Sequence, residues 1–177
     1  LKELGADAVL PELNRWVSQL KGDPAQVEAL SLEALWAYQS LDIVNEPLLN
    51  FVLNARDHHA RAAATRVVYH WFDRLSNALQ LASARAEDEH PQVRLEALRT
   101  LSQIKGLPAA VAATRVLRKP MDENLDYALW LTLRELQSDW VAPFRERGFD
   151  FDGDFAALEF AVRAANSPDL APPLLDR

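Results

Sequence analysis

Four alanines recur at a nearly constant interval along this chain, and their recurrence constrains its fold more than any other feature. Ala34, Ala64, Ala97 and Ala128 are spaced 30, 33 and 31 residues apart. Each sits in a matching piece: Leu32-Glu33-Ala34-Leu35, Ala62-Ala63-Ala64-Thr65, Leu95-Glu96-Ala97-Leu98 and Asp126-Tyr127-Ala128-Leu129. An alanine lets the helix that carries it approach a neighbour closely. Two-helix units repeated at such a period indicate an α-solenoid, in which each unit buries its apolar side against the next.

The rest of the chain agrees with that reading. Apolar residues follow helical spacing, and no alternating Val/Ile/Thr-rich run reads as a strand. Prolines separate the periodic stretches at Pro24, Pro47, Pro91, Pro108, Pro120 and Pro143. Proline is free of cost in the first turn of a helix, where its missing N–H has no partner to lose. Asp23-Pro24, Asn45-Glu46-Pro47 and His90-Pro91 therefore read as helix starts, and Lys105-Gly106-Leu107-Pro108 as a stop followed by a start. The pattern predicts about nine helices, near 8–21, 25–40, 46–55, 58–74, 76–87, 91–104, 108–118, 122–137 and 154–166. Short connections imply antiparallel neighbours.

Composition narrows the function classes. With 49% hydrophobic and 25% charged residues, the chain can bury a core without staples. Nineteen Lys and Arg against 26 Asp and Glu leave a net charge of −7, which weighs against nucleic acid as a partner. Zero cysteines exclude disulfides, thiolate metal sites, a cysteine nucleophile and covalent c-type haem within these residues. There is no glycine-rich phosphate loop. No apolar run approaches the ~20 residues needed to span a bilayer. The chain starts at Leu1, and its end, from Asp169 to Arg177, carries Pro172-Pro173 without a clear cap. It reads as a piece of a longer polypeptide, whose localisation signals would lie elsewhere.

The segment from His90 to Leu101, with Pro91, Val93-Arg94 and Ala97, resembles the HEAT-repeat pattern, and Asp57 to Ala64 is a looser copy. Asp88 stands six residues before Arg94, a spacing at which HEAT repeats place an Asp/Arg ladder. The first copy, around Val27-Glu28, lacks the arginine, and the fourth has Leu125 in its place. Pro120 to Leu129, then Thr132, Arg134-Glu135-Leu136 and Trp140, is similar to the HEAT segment of a bacterial family. That family comprises the multidomain membrane-bound dehydrogenase or haem-binding proteins of planctomycetes. Ala34-Leu35-Trp36, Arg61 to Trp71 and Val93 to Ser102 look similar to the same segment in the same order, so the resemblance covers residues 28–145. It implies an exported or periplasmic parent with a dehydrogenase-like β-propeller and a cytochrome c module, neither of which is in this sequence. Haem c would belong to that parent, and no cofactor is expected in these residues. The expected fold is all-α, a right-handed HEAT-like α-solenoid of four to five antiparallel helix pairs forming one domain over 1–177. Its units would run over 8–41, 43–73, 75–105 and 107–138, with an incomplete further unit over 149–177.

Candidate site residues follow from the unit. Arginine occurs three before and two after the alanine in both middle units, as Arg61 and Arg66, then Arg94 and Arg99. Trp36 and Trp130 hold the position two after the alanine in the outer units. Two residues along a helix turn about 200°, so this position faces away from the alanine contact. Stacked at ~10 Å per helix layer, the arginines would form a cationic patch suited to an acidic partner or a neighbouring domain. Alternatively, Arg61 and Arg94 are internal ladder residues and Arg66 and Arg99 are solvated. Glu33 and Glu96, each just before an alanine, have no His or Ser nearby that would make them an acid/base pair, and read as ladder or solvated groups. Adjacent His58 and His59 point about 100° apart on a helix and have no partner at i+4, so capping or solvation is expected there. Asp150-Phe151-Asp152-Gly153-Asp154 places its glycine fourth and an alanine at position 12, which fails the calcium-loop pattern. It reads as an acidic turn with Asp154 as N-cap. Trp71 belongs on the buried stripe. The expected function is a non-catalytic interaction or spacer module. The alternative is a solenoid enzyme, such as a HEAT-like DNA glycosylase using Trp36, Trp130, Arg66 and Arg99, or a chromophore lyase.

Overall fold

The computed structural model describes residues 6–146, 148–166 and 170. They form ten α-helices: α1 (Ala6–Ser18), α2 (Pro24–Ser40), α3 (Glu46–Leu53), α4 (His58–Trp71), α5 (Ala78–Arg85), α6 (Pro91–Ile104), α7 (Leu107–Thr114), α8 (Glu123–Glu135), α9 (Gln137–Arg145) and α10 (Phe155–Ala165). Single 3-10 turns follow α7, over Arg115–Arg118, and precede α10, over Phe151–Gly153. No strand occurs among the described residues.

The helix starts lie where local chemistry put them. Asp23 accepts from the N–H of Gln26 at 3.1 Å, Asn45 from Leu48 at 3.1 Å and Asp122 from Leu125 at 2.8 Å. These side chains satisfy N–H groups that the first helical turn leaves without partners. His90 caps α6 through Nδ1, which accepts from Gln92. Between α6 and α7 the chain turns through Lys105 and Gly106, at φ 63° and 85°. Glycine adopts such a left-handed angle without the Cβ clash that other residues meet.

One helix differs from the sequence expectation. Pro143 lies inside α9 rather than between elements, and α9 follows α8 across a bend at Leu136. The Trp140 indole N–H donates to the Leu133 carbonyl at 3.0 Å, satisfying an acceptor freed at the end of α8. Pro143 takes from α9 the one bond that its missing N–H would have given to the Asp139 carbonyl. The further unit expected over 149–177 is described only in 149–166 and 170, where it contributes α10 and the buried Leu170; 167–169 and 171–177 lie outside the described residues.

The helices pack in two rows. In one, α2, α4, α6, α8 and α10 each pack against the next, and in the other α5, α7 and α9 do the same. Within the pairs α3–α4, α5–α6 and α7–α8, consecutive helices also touch. The core forms two successive clusters, one around Leu35, Leu49, Val68 and Trp71, the other around Leu98, Leu129, Trp140 and Phe144, with Ile104 packed against both.

The recurring alanines sit where the helices of the first row meet. Ala34, Ala64 and Ala97 are fully buried, whereas Ala128 is half-buried and Leu129 beside it fills the core. We expect Ala97→Leu to cost about 1–3 kcal/mol, because added methylenes must force α6 away from α4 and α8. Ala128→Leu should cost less, and urea unfolding of the two variants measures the difference.

Candidate functional site

The two arginine positions of the repeat have different fates. Arg61, three before Ala64, donates to the Ala55 and Arg56 carbonyls at 3.0 and 2.9 Å. Its Nε and Nη2 also grip the Asp88 carboxylate at 2.8 Å each. Arg94, three before Ala97, repeats the pattern with carbonyls throughout. It donates to Asp88 and Glu89 at 2.8 and 3.0 Å, and to Pro120 in the next unit at 2.6 Å. With 2% of its surface exposed, Arg94 is a core residue and presents nothing to a partner. The Asp88 carboxylate therefore pairs with the arginine of the preceding unit, while its backbone carbonyl accepts from Arg94 six residues later. Leu125 replaces the arginine in the next unit and is buried.

The position two after the alanine faces outward. Trp36 is 43% exposed, and Arg66 and Arg99 are exposed. Trp130 is half-buried, with the Arg134 guanidinium 4.9 Å above its ring and Tyr127 stacked beside it. The two outward arginines do not form a free cationic pair. Arg66 is ion-paired to Glu96, one unit further on. Arg99 lies 4.7 Å from the Tyr69 ring, in a cation–π arrangement. Glu96 is buried, so the net charge here is less positive than arginine positions alone suggest; Glu33, its counterpart, is exposed.

Between α6 and α8 the surface forms a groove of about 280 Å³. Leu95, Ala128 and Leu131 form its apolar walls, and Glu96, Arg99 and Glu135 its polar edge. Of the large apolar side chains left exposed, Trp36, Leu95, Tyr127 and Leu131 lie on α2, α6 and α8, while Trp16, Phe51 and Phe155 lie on α1, α3 and α10. Tyr69, Leu95, Tyr127 and Arg134 were not among the candidate site residues of the sequence. Each stands three or four residues from Arg66, Arg99 or Trp130, the separation that makes neighbours on a helix surface.

The other sequence candidates resolve as follows. Asp154 caps α10, accepting from Ala157 at 3.1 Å, and Asp150 accepts from Gly153 at 3.2 Å. Trp71 is buried as expected. His58 and His59 open α4 behind the Asp57 cap, whose carboxylate accepts from the His59 N–H at 2.9 Å. The His90 ring stacks on His58 at 3.4 Å, a contact the chain order did not show. Lost hydration and the rings of His59 and His90 hold the His58 imidazole below its ordinary range, against the opposing pull of Asp57.

No family model matches the chain, and no curated protein or solved structure matches it.

The Arg61–Asp88 pair makes a pH-dependent prediction. Burial alone would raise the Asp88 carboxyl, but hydrogen bonds from Arg61 and the His90 N–H outweigh it and bring its pKa below the ordinary value. A carboxylate depressed in the folded state stabilises the fold above its unfolded pKa, and that stability is lost as pH falls through the folded pKa. We expect the melting temperature to drop below about pH 4. In Asp88→Asn the part of that drop due to this group should vanish, leaving a flatter acid limb. Arg94→Ala should cost about 1–3 kcal/mol at neutral pH, because it empties a buried site and removes the donor of three part-buried carbonyls. Arg99→Ala should cost under about 0.5 kcal/mol by the same urea titration.

Proposed function

We propose that the chain is a HEAT-like α-solenoid that works as a non-catalytic interaction and spacer module, binding through the outward side of α2, α4, α6 and α8. The solenoid reading is supported by the two rows of helices packed in chain order. It is supported also by the bonding pattern between distant segments. Among the described residues, side-chain hydrogen bonds between distant residues join partners 24 to 35 positions apart, one unit along the chain. A stack of units in which each touches its neighbours produces that spacing.

The observation that carries the binding reading is the groove in which exposed Leu95 and Leu131 lie beside Arg99, with exposed Trp36, Tyr127 and Arg66 on helices of the same row. Aromatic and arginine side chains dominate the energetics of protein interfaces, and exposed apolar groups rimmed by polar ones mark them. Arg99 and Arg134 offer charge to an acidic segment, while Leu95 and Leu131 give it an apolar seat. The Arg66–Glu96 pair and Glu135 make the same face a poor match for a phosphate backbone, which disfavours the DNA glycosylase alternative. A setting in an exported dehydrogenase or cytochrome c-like protein, with neighbouring domains as partners, belongs to this proposal and rests on the resemblance over residues 28–145.

The test uses acidic peptides containing an aromatic residue, with binding read by fluorescence anisotropy. Arg99→Glu is the cleaner probe, because Arg66→Glu would set a second carboxylate against buried Glu96. Arg99→Glu should weaken binding by about fivefold or more, roughly 1 kcal/mol, with little change in melting temperature. Unchanged affinity in Arg99→Glu, or tighter binding of duplex DNA than of acidic peptides, would overturn the reading.

A further inference from the structure

Three of the four histidines converge at one place, although the chain separates them. His58 and His59 occupy the first turn of α4, and His90 caps α6 in the next layer. The His58 ring lies 4.0 Å from that of His59 and 3.4 Å from that of His90, centre to centre. Asp57 completes the group. One nitrogen from each of His58 and His59 and one Asp57 oxygen lie within 4.8 Å of one another. His58 Nδ1 is 3.8 Å from Asp57 Oδ1.

We propose that Asp57, His58 and His59, with the His90 ring packed against them, bind a divalent transition-metal ion of the zinc class. Imidazole nitrogen and carboxylate oxygen are the donors such an ion takes in cysteine-free sites. A tetrahedral zinc ion with bonds of about 2.1 Å sets its ligands about 3.4 Å apart. His59 is exposed and can rotate to close the remaining distance. Adjacent histidines on a regular helix diverge, which is why i+4 spacing is the usual requirement. Here the pair stands at the helix start, where Asp57 lies just outside the helix and folds back over it as the cap.

Two structural facts bear on affinity. The N-terminal end of α4 is the positive end of its dipole, which opposes a cation. The Asp57 carboxylate offsets that field, so it contributes charge as well as a donor. The His90 ring lies against His58 and limits its rotation, which lowers the ordering cost of binding. Three protein ligands leave one position of a tetrahedral ion for water. The ion would sit where the starts of α4 and α6 meet, at the joint between consecutive layers.

The experiment is a calorimetric titration of tag-free, chelator-stripped protein with Zn2+, paired with melting curves in Zn2+ and in Mg2+. One equivalent of Zn2+ should bind and raise the melting temperature, whereas Mg2+, which prefers oxygen donors, should not. The double variant His58→Ala/His59→Ala should lose about tenfold or more in affinity. Asp57→Asn should lose as much while keeping the helix cap, because asparagine caps as well as aspartate. His70→Ala, at the exposed histidine on the far end of α4, should bind as the wild type does. Each variant's metal-free melting curve reports its folding separately. Failure of Zn2+ to bind the wild type, or equal binding by the double variant, would overturn the site.

Discussion

The stack of helices depends on the guanidinium groups of Arg61 and Arg94. Each reaches back to two carbonyls in the turn before its own helix and forward into the next unit. A loop packed against helices carries backbone acceptors that the helices leave without a donor, and each one left unmet and shielded from water is costly. An arginine has five donors in a fixed planar fork, enough to serve both loops at once. Buried alanines bring the helices close, and the arginines make that closeness tolerable for the backbone between them. In the next unit Leu125 takes the arginine's place, and apolar packing around Leu129, Leu133 and Trp140 substitutes for the polar tie.

The same bonding changes the meaning of the outward face. Four arginines in register resemble a cationic strip when only positions are known. In the fold, Arg94 is internal, Arg61 is shared with Asp88, Arg66 with Glu96, and Arg99 rests on Tyr69. What reaches solvent is a mixed face of tryptophan, tyrosine, leucine and paired charge. On the proposed binding reading, such a face would select a partner by shape and apolar contact, with charge as a secondary term.

Much of the fold was legible before any coordinates. Asp23, Asn45, His90 and Asp154 cap the helices that their positions announced, because capping is settled within three residues of the cap. The contrast between buried Ala97 and exposed Arg99 follows from helical rotation alone. The α9 helix was less legible, since Pro143 argues locally for a break, whereas the burial of Trp140 and Phe144 on either side of it is decided by the core. The Asp/Arg spacing was legible along the chain, but the pairing was not: a carboxylate bonds to whichever donor the packing brings near, and for Asp88 that donor is Arg61.

The residues by themselves determined the all-helical character, the places where helices start, and which side of each helix turns inward. Those properties arise from interactions within about one helical turn, and the chain carries both participants side by side. Tertiary structure alone decided that Glu96 is buried against Arg66, that His90 lies on His58, and that Pro120 supplies the last acceptor for Arg94. Each of those contacts joins side chains or carbonyls of different layers. The offset of one layer on the next is set by how whole helices pack together, a sum over many weak contacts that no local pattern encodes.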